Sequence, residues 1–593
     1  MAKQSINIGS SANDGTGTPL RDAFDICNDN FTEIYAVNGG SAAFPSLGSA
    51  GQILQVNSGG SALEFAAAST GIAGIVEGTN FTGSIIVGHE TTGTLNAAQN
   101  NTALGINAMD AITTGDSNVV IGFDAGTALT TASNNVLIGK DAGKGTGNPG
   151  TTIAIGQGVL SASSVVTGSV FIGNYMAANC TSGAGSTVAI GTNCLSVTGY
   201  SGSNNVVLGH QAGNNLSTGE ENVVVGSLAG DALTTGGKNV AMGYQALGAE
   251  DAHGHNVAIG WYALSSLDAG ANAHNVAIGY NAADSMTTGV ENTIIGAEAG
   301  SGFTIGNYNV ALGRNALKTS VDGDYNTAIG YKALEDYEDG DGNGHNTAVG
   351  ANSQLNATTG EFNTSLGSGS MGTGVVTGDG NVSIGYLSGS ALTGGSSNTL
   401  LGRQAGNALT TGNQNVAIGR YALEDEDAHG RNVAIGHEAL RNQDAGADGY
   451  NVAIGYETGV NISTGTLNTL VGGGFCADAL TSGARNVAIG YLALSTEDAH
   501  GKNVAVGYGS LFFLNAGADG YNTAIGYQAG TSVTTGVNNT FVGADASTIT
   551  TGSNNIVIGA NAAASANSVS NEITLGDSNV NLLRIPGLGS SDG

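Results

Sequence analysis

Few residues in this chain have types and spacings that could do chemistry. His253 and His255 form a His-x-His pair. Imidazoles suit divalent transition metals, and three chains around one axis would gather six rings, enough for an octahedral ion. Asp339, Asp341, Asn343 and Gly344 follow the opening of a DxDxNG calcium loop, in which alternate side-chain oxygens wrap a hard cation. Gly350 stands where the closing bidentate carboxylate belongs, so the pattern extends only to a weak surface Ca2+ site. For both groups the plainer reading is a solvated turn, with the histidines in a loop on the perimeter. No serine, histidine and aspartate constellation stands out, and paired acids such as Glu424 and Asp425 recur periodically, as scaffold residues do. Neither a catalytic residue nor a cofactor is expected. Cys27, Cys180, Cys194 and Cys476 make no metal-ligand spacing and are expected to be free thiols.

What must position these residues is a repeat. The phrase Asn-Val-Ala-Ile-Gly, as at Asn256 to Gly260, recurs 29 times between Ser84 and Gly576, mostly with the spacing that separates Asn239 from Asn256. A period this long marks a solenoid, whose coils contact only their neighbours. Position 1 is Asn in 24 copies, among them Asn256, Asn275 and Asn432, and position 5 is always Gly, as at Gly260, Gly279 and Gly436. Positions 2 and 4, β-branched or aliphatic, share one face of a short strand and are expected to point inward, leaving the usual Ala of position 3 to face out. The glycine fits a corner that needs positive φ or a close approach of backbone. The asparagines are expected to bond from coil to coil as a ladder.

After the corner comes a small residue such as Ala263 or Ala316, then an expected second short strand and a polar loop. Longer steps, as from Asn256 to Asn275 and from Asn326 to Asn346, add residues only to that loop, for example between Leu267 and His274. Tyr244, Trp261, Tyr280, Tyr331, Tyr491, Tyr508 and Tyr527 follow the glycine. They are expected to form columns about 4.8 Å in spacing, either as a sugar platform or, more plainly, as a seal on the corner. Two buried aliphatic side chains give a coil only ~3 to 6 kcal/mol, against about 1 to 2 kcal/mol for ordering each residue. No coil is stable alone, and a thin coil leaves a face that identical chains would cover.

Composition narrows the function. With 15 basic against 46 acidic residues the net charge is −31, which opposes nucleic-acid binding. Gly numbers 100 and Pro only 4, without a triplet period, which excludes collagen. No apolar run approaches the ~18 residues of a membrane span, and the opening MAKQSINIGSS contains no secretory signal. Synthesis in a host cytoplasm without membrane insertion is therefore expected.

The repeated phrase, followed by its small residue, resembles the head repeat of trimeric adhesins of the YadA type from Ser84 to about Gly576. That resemblance implies a left-handed parallel β-roll wound as a homotrimer, with larger loops here because the period is longer. Ahead of the roll, Leu20, Phe24, Cys27, Phe31 and Ile34 follow Pro19 at heptad-like steps. They suit either a helix packed on its own domain or a three-helix bundle that starts a trimer. The surrounding stretch, INIGSSANDGTGTPLRDAF to NDNFTEIY, resembles an N-terminal segment of structural proteins of tailed bacteriophages.

The expected plan is an all-β chain with an attachment segment at 1–40, a neck at 41–83, the roll at 84–576 and a tail at 577–593. Within the neck, Gly51 to Phe65 should form a hairpin. Inside the roll the four coils that begin at Asn415 are echoed by the four that begin at Asn486, and the shared EDAHG at 250–254, 426–430 and 497–501 marks the duplication. Ile585 to Gly593 repeats the order of Phe44 to Gly51, so a further module or a capping protein is expected beyond Gly593. Together these features point to a fibre on a virion. Its expected partners are other virion proteins at one end and a host-surface glycan or protein, met directly or through a distal protein, at the other. The alternatives are the passenger of a bacterial surface adhesin and a glycan-degrading tailspike.

Overall fold

The computed structural model describes residues 52–56, 63–67, 83–87 and 97–584, apart from breaks at 146–149, 164–165, 179, 181–183 and 339–343. The expected helical seam, Cys27, Asp339, Asp341, Asn343 and the tail from 585 lie outside these residues. In the neck, β1 (Gln52–Val56) pairs antiparallel with β2 (Leu63–Ala67), which is the expected hairpin.

Each copy of the phrase forms a strand. From β3 (Ile85–Val87) to β31 (Ile573–Leu575), 29 strands follow one another, and each pairs in parallel with the next. Register follows phrase position. In β13 (Val257–Ile259) and β14 (Val276–Ile278), Val257 lies opposite Val276, Ala258 opposite Ala277 and Ile259 opposite Ile278. The longer step between these two copies leaves the register intact because its extra residues stay in the loop. The described chain is thus all-β, a parallel β-solenoid with one coil per phrase.

The strands face the opposite way from the sequence expectation. Position 3 points into the coil, where Ala258, Ala277 and Ile294 are buried, while Leu312 and Met242 at position 4 remain 42% and 38% exposed. Alternation identifies the side chains that share a face without choosing the inner one. A coil of this length encloses too thin a space for two branched side chains per strand, so the single small one goes in. It shares the core with Ala263 and Leu264. Where position 3 is larger, the opposite wall thins: a Cβ on Gly300 would come within 2.9 Å of Ile294. Total volume is conserved, as close packing demands.

The expected second strand is a run of turns instead. Tyr262 and Leu264 take left-handed conformations, with φ of 58° and 49°. Inter-coil bonding persists nonetheless: the Tyr262 N–H donates back to Tyr244 O at 3.0 Å, and the Leu264 N–H donates forward to Ala282 O at 3.1 Å. Left-handed residues each cost on the order of 1 kcal/mol. The stack offsets this by satisfying the backbone on both sides.

The asparagine ladder forms as expected. The Asn275 backbone N–H donates to Asn256 Oδ1 at 3.1 Å, and its Nδ2 donates to the Gly289 carbonyl at 2.7 Å. Longer loops displace that second acceptor. In the lengthened coils that run from Asn432 to Asn451 and from Asn326 to Asn346, the leading asparagine leaves Nδ2 unpartnered. Asn256, which also opens a lengthened coil, turns its Nδ2 back to the Gly254 carbonyl at 3.3 Å.

Candidate functional site

The three EDAHG loops build one arrangement three times. Their glutamates, Glu250, Glu426 and Glu497, are fully buried. Each Oε1 accepts the backbone N–H of the histidine three positions on, at 2.9, 3.0 and 3.0 Å, which closes the turn. This places the histidine Nδ1 at 3.3, 3.4 and 3.3 Å from the same oxygen. Asp251 has the same offset from Asn239 as Asp268 has from Asn256, so the two aspartates occupy the same place in adjacent coils. One ligand atom from each of Glu250, Asp251, His253 and Asp268 lies within 4.8 Å of all the others, and Glu426, Asp427, His429 and Asp444 repeat the group. In the third loop Glu497, Asp498 and His500 converge, with Asn515 at the position of the second aspartate.

The electrostatics are adverse. Burial pushes the Glu426 carboxyl up to about 7 and raises that of Glu497. Glu426 Oε2 and the Nδ1 atoms of His429 and His500 are buried without a hydrogen-bond partner.

Of the expected His-x-His pair, only His253 belongs to this group. His255 adopts a φ of 66° and packs instead against His274, with ring centroids 4.9 Å apart and planes tilted by 40°. It lines an open depression with Glu220, Lys238 and Asn272. In the sequence, EDAHG reads only as a mark of duplication. The signal that could have found the group is the second aspartate one coil later, because Asp268 follows Asp251, and Asp444 follows Asp427, by the common period of the repeat.

The aromatic columns form in part. Tyr491, Tyr508 and Tyr527 stack at 5.6 and 5.2 Å, while Tyr244 and Trp261 tilt by 32° at 4.7 Å. A second column, unforeseen, precedes the asparagines: Tyr308, Tyr325, His345 and Phe362 stack at 4.8, 4.8 and 5.2 Å. Rings stacked this way cover one another's faces and offer solvent their edges. Sugars pack on faces, so the columns suit sealing better than a glycan platform.

Cys180, Cys194 and Cys476 are free and buried. Burial pushes their thiols up to about 12, 11 and 12. Thiolate is the reactive form. At pH 8 an aromatic disulfide reagent should therefore leave all three unlabelled in the folded chain and label them in guanidinium, as read by peptide mass spectrometry. Rapid native labelling at any of them would mean that its coil opens locally.

One further surface stands out. Positions 2 and 4 of successive strands line up into two outward rows along the ladder: position 4 is apolar and open to solvent at Leu104, Leu312, Leu366, Leu401 and Ile525, while position 2 mixes Val and Ile with Thr, as at Thr293, Thr327 and Thr523. Among the described residues no helix is long and apolar enough to cross a membrane. No protein-family model, curated protein or solved structure matches the chain.

Proposed function

We propose that the chain is the structural shaft of a tailed-phage fibre, a homotrimer that supports host-cell attachment at a distance from the virion. The observation that carries this reading is the exposed apolar row formed by position 4. Exposed apolar strips of this length mark interaction surfaces, and a row with the same register on every chain suits self-association around an axis parallel to the coils. At about 4.8 Å per coil, the 29 strands would give a rod of about 140 Å. Such a rod has a mechanical role and no catalytic one. The resemblances to phage N-terminal segments and to YadA-type heads favour a place on the particle, with residues 1–40 joined to other virion proteins. A host glycan or protein would be met at or beyond the far end.

Immunogold labelling of intact phage particles tests the reading. Gold along a tail appendage is the expected result. Labelling of a bacterial surface would favour an adhesin passenger, and shortening of host glycan chains by the purified chain would favour a tailspike enzyme.

A further inference from the structure

We propose that each EDAHG loop, together with the coil that follows it, forms a divalent-metal site of the zinc class. Its ligands are the buried glutamate, the histidine and the aspartates of two adjacent coils. The inference is independent of the fibre reading.

Three observations carry it. The first is distance. An imidazole nitrogen in a charge-assisted bond to a carboxylate sits at about 2.7 to 2.9 Å, but these pairs stand at 3.3 to 3.4 Å, a long hydrogen bond for His253 and none for His429 and His500. Two ligands of a tetrahedral ion with bonds of about 2.0 to 2.1 Å are about 3.3 to 3.4 Å apart. All four ligand atoms of a complete group lie within 4.8 Å of one another, so the most distant pair must close by at most about 1.4 Å to reach the tetrahedral edge.

The second is the unpartnered buried oxygen. Glu426 is wholly out of solvent, yet its Oε2 has no hydrogen-bond partner, and its carboxyl converges with Asp427, His429 and Asp444. In the sister loops the equivalent Oε2 accepts only long bonds, from Ala269 N at 3.4 Å and Ala516 N at 3.3 Å. A buried anionic oxygen in this state is costly.

The third is charge. A complete group places three carboxylates together. Like charges directly opposed across a ladder are destabilising. A dication would reverse that repulsion. One imidazole with carboxylates favours zinc-class ions over Ca2+, which takes six to eight oxygens at longer distance. The backbone bonds from the histidines to Oε1 fix one carboxylate edge, as outer contacts of metal sites do.

The internal repeat supplies a graded series. Two loops have the full set of Glu, Asp, His and Asp, while the third offers Asn515 in place of the last aspartate. The full chain, stripped with EDTA, should be dialysed against Zn2+ alone and then against Zn2+ with millimolar Ca2+. Two tight equivalents and one weaker equivalent per chain are expected, with Ca2+ failing to displace them. His253→Ala and His429→Ala should each remove one tight equivalent, since loss of a ligand weakens such sites about tenfold or more. These histidine side chains are 28% and 26% exposed, so their loss should leave the coils folded, as circular dichroism would show. Asn515→Asp should convert the weak site into a third tight one. Diffuse uptake that Ca2+ displaces, or an unchanged stoichiometry in both histidine variants and in Asn515→Asp, would overturn the proposal.

Discussion

Replacing Ile278, Ile295 and Leu312 with glutamate should open the seam of the assembly over those three coils, with the chains still folded and still joined along the rest of the roll. These residues lie opposite one another in successive strands, outside the buried middle position of each. In the proposed homotrimer they line the shared axis, so the triple variant would set nine carboxylates in an apolar seam. Burying the exposed remainder of the two outward side chains contributes roughly 1 to 2 kcal/mol per coil and chain. An unpaired buried charge costs several kcal/mol, so three adjacent coils should lose their association and destabilise the neighbouring ones. Light scattering should give three times 58.2 kDa for the parent chain, and hydrogen exchange should quicken in the variant only around residues 278 to 312, with circular dichroism unchanged. The matched substitution Ala277→Glu, next to Ile278 but inside the coil, should unfold its region instead, because Ala277 is buried in the chain's own core. A monomeric parent at micromolar concentration, or a variant whose exchange around these residues is unchanged, would sink the interface.

The second large effect concerns the corner. Gly279→Ala should lower stability by about 4 kcal/mol or more, while Gly270→Ala should cost only about 1 kcal/mol. Both glycines have positive φ, 147° and 67°. They differ in surroundings: a Cβ on Gly279 would sit 2.3 Å from the Gly296 carbonyl oxygen of the next coil, whereas one on Gly270 meets nothing within 4 Å. Carbonyl and Cβ cannot share that space, so adjacent coils must part and lose ladder bonds on each side. In a solenoid the damage is local. Proteolysis of the variant should therefore cut near residue 279 and release two stable pieces. Equal melting temperatures for the two variants would show that φ alone, and not the close approach, selects the glycine.

How much of this could be read in advance follows from what a period can encode. The repeated phrase determined the parallel solenoid, the register of its strands and the asparagine ladder, because identical coils stack with identical residues in line. The invariant glycine likewise announced its corner. Alternation alone could not say which face of a short strand is inside. That choice rests on the width of the closed coil, which admits Ala258 and excludes Val257 and Ile259. Nor could the turns after the corner be read as turns, since left-handed residues such as Tyr262 and Leu264 are tolerated only where neighbouring coils hold their backbones. The acid and histidine groups were hidden for a related reason. Glu250, Asp251 and His253 are close in sequence, but Asp268 joins them only when the next coil is laid on top. Sequence determines which residues repeat; the stacked backbone decides which of them meet, and whether they meet in water or out of it.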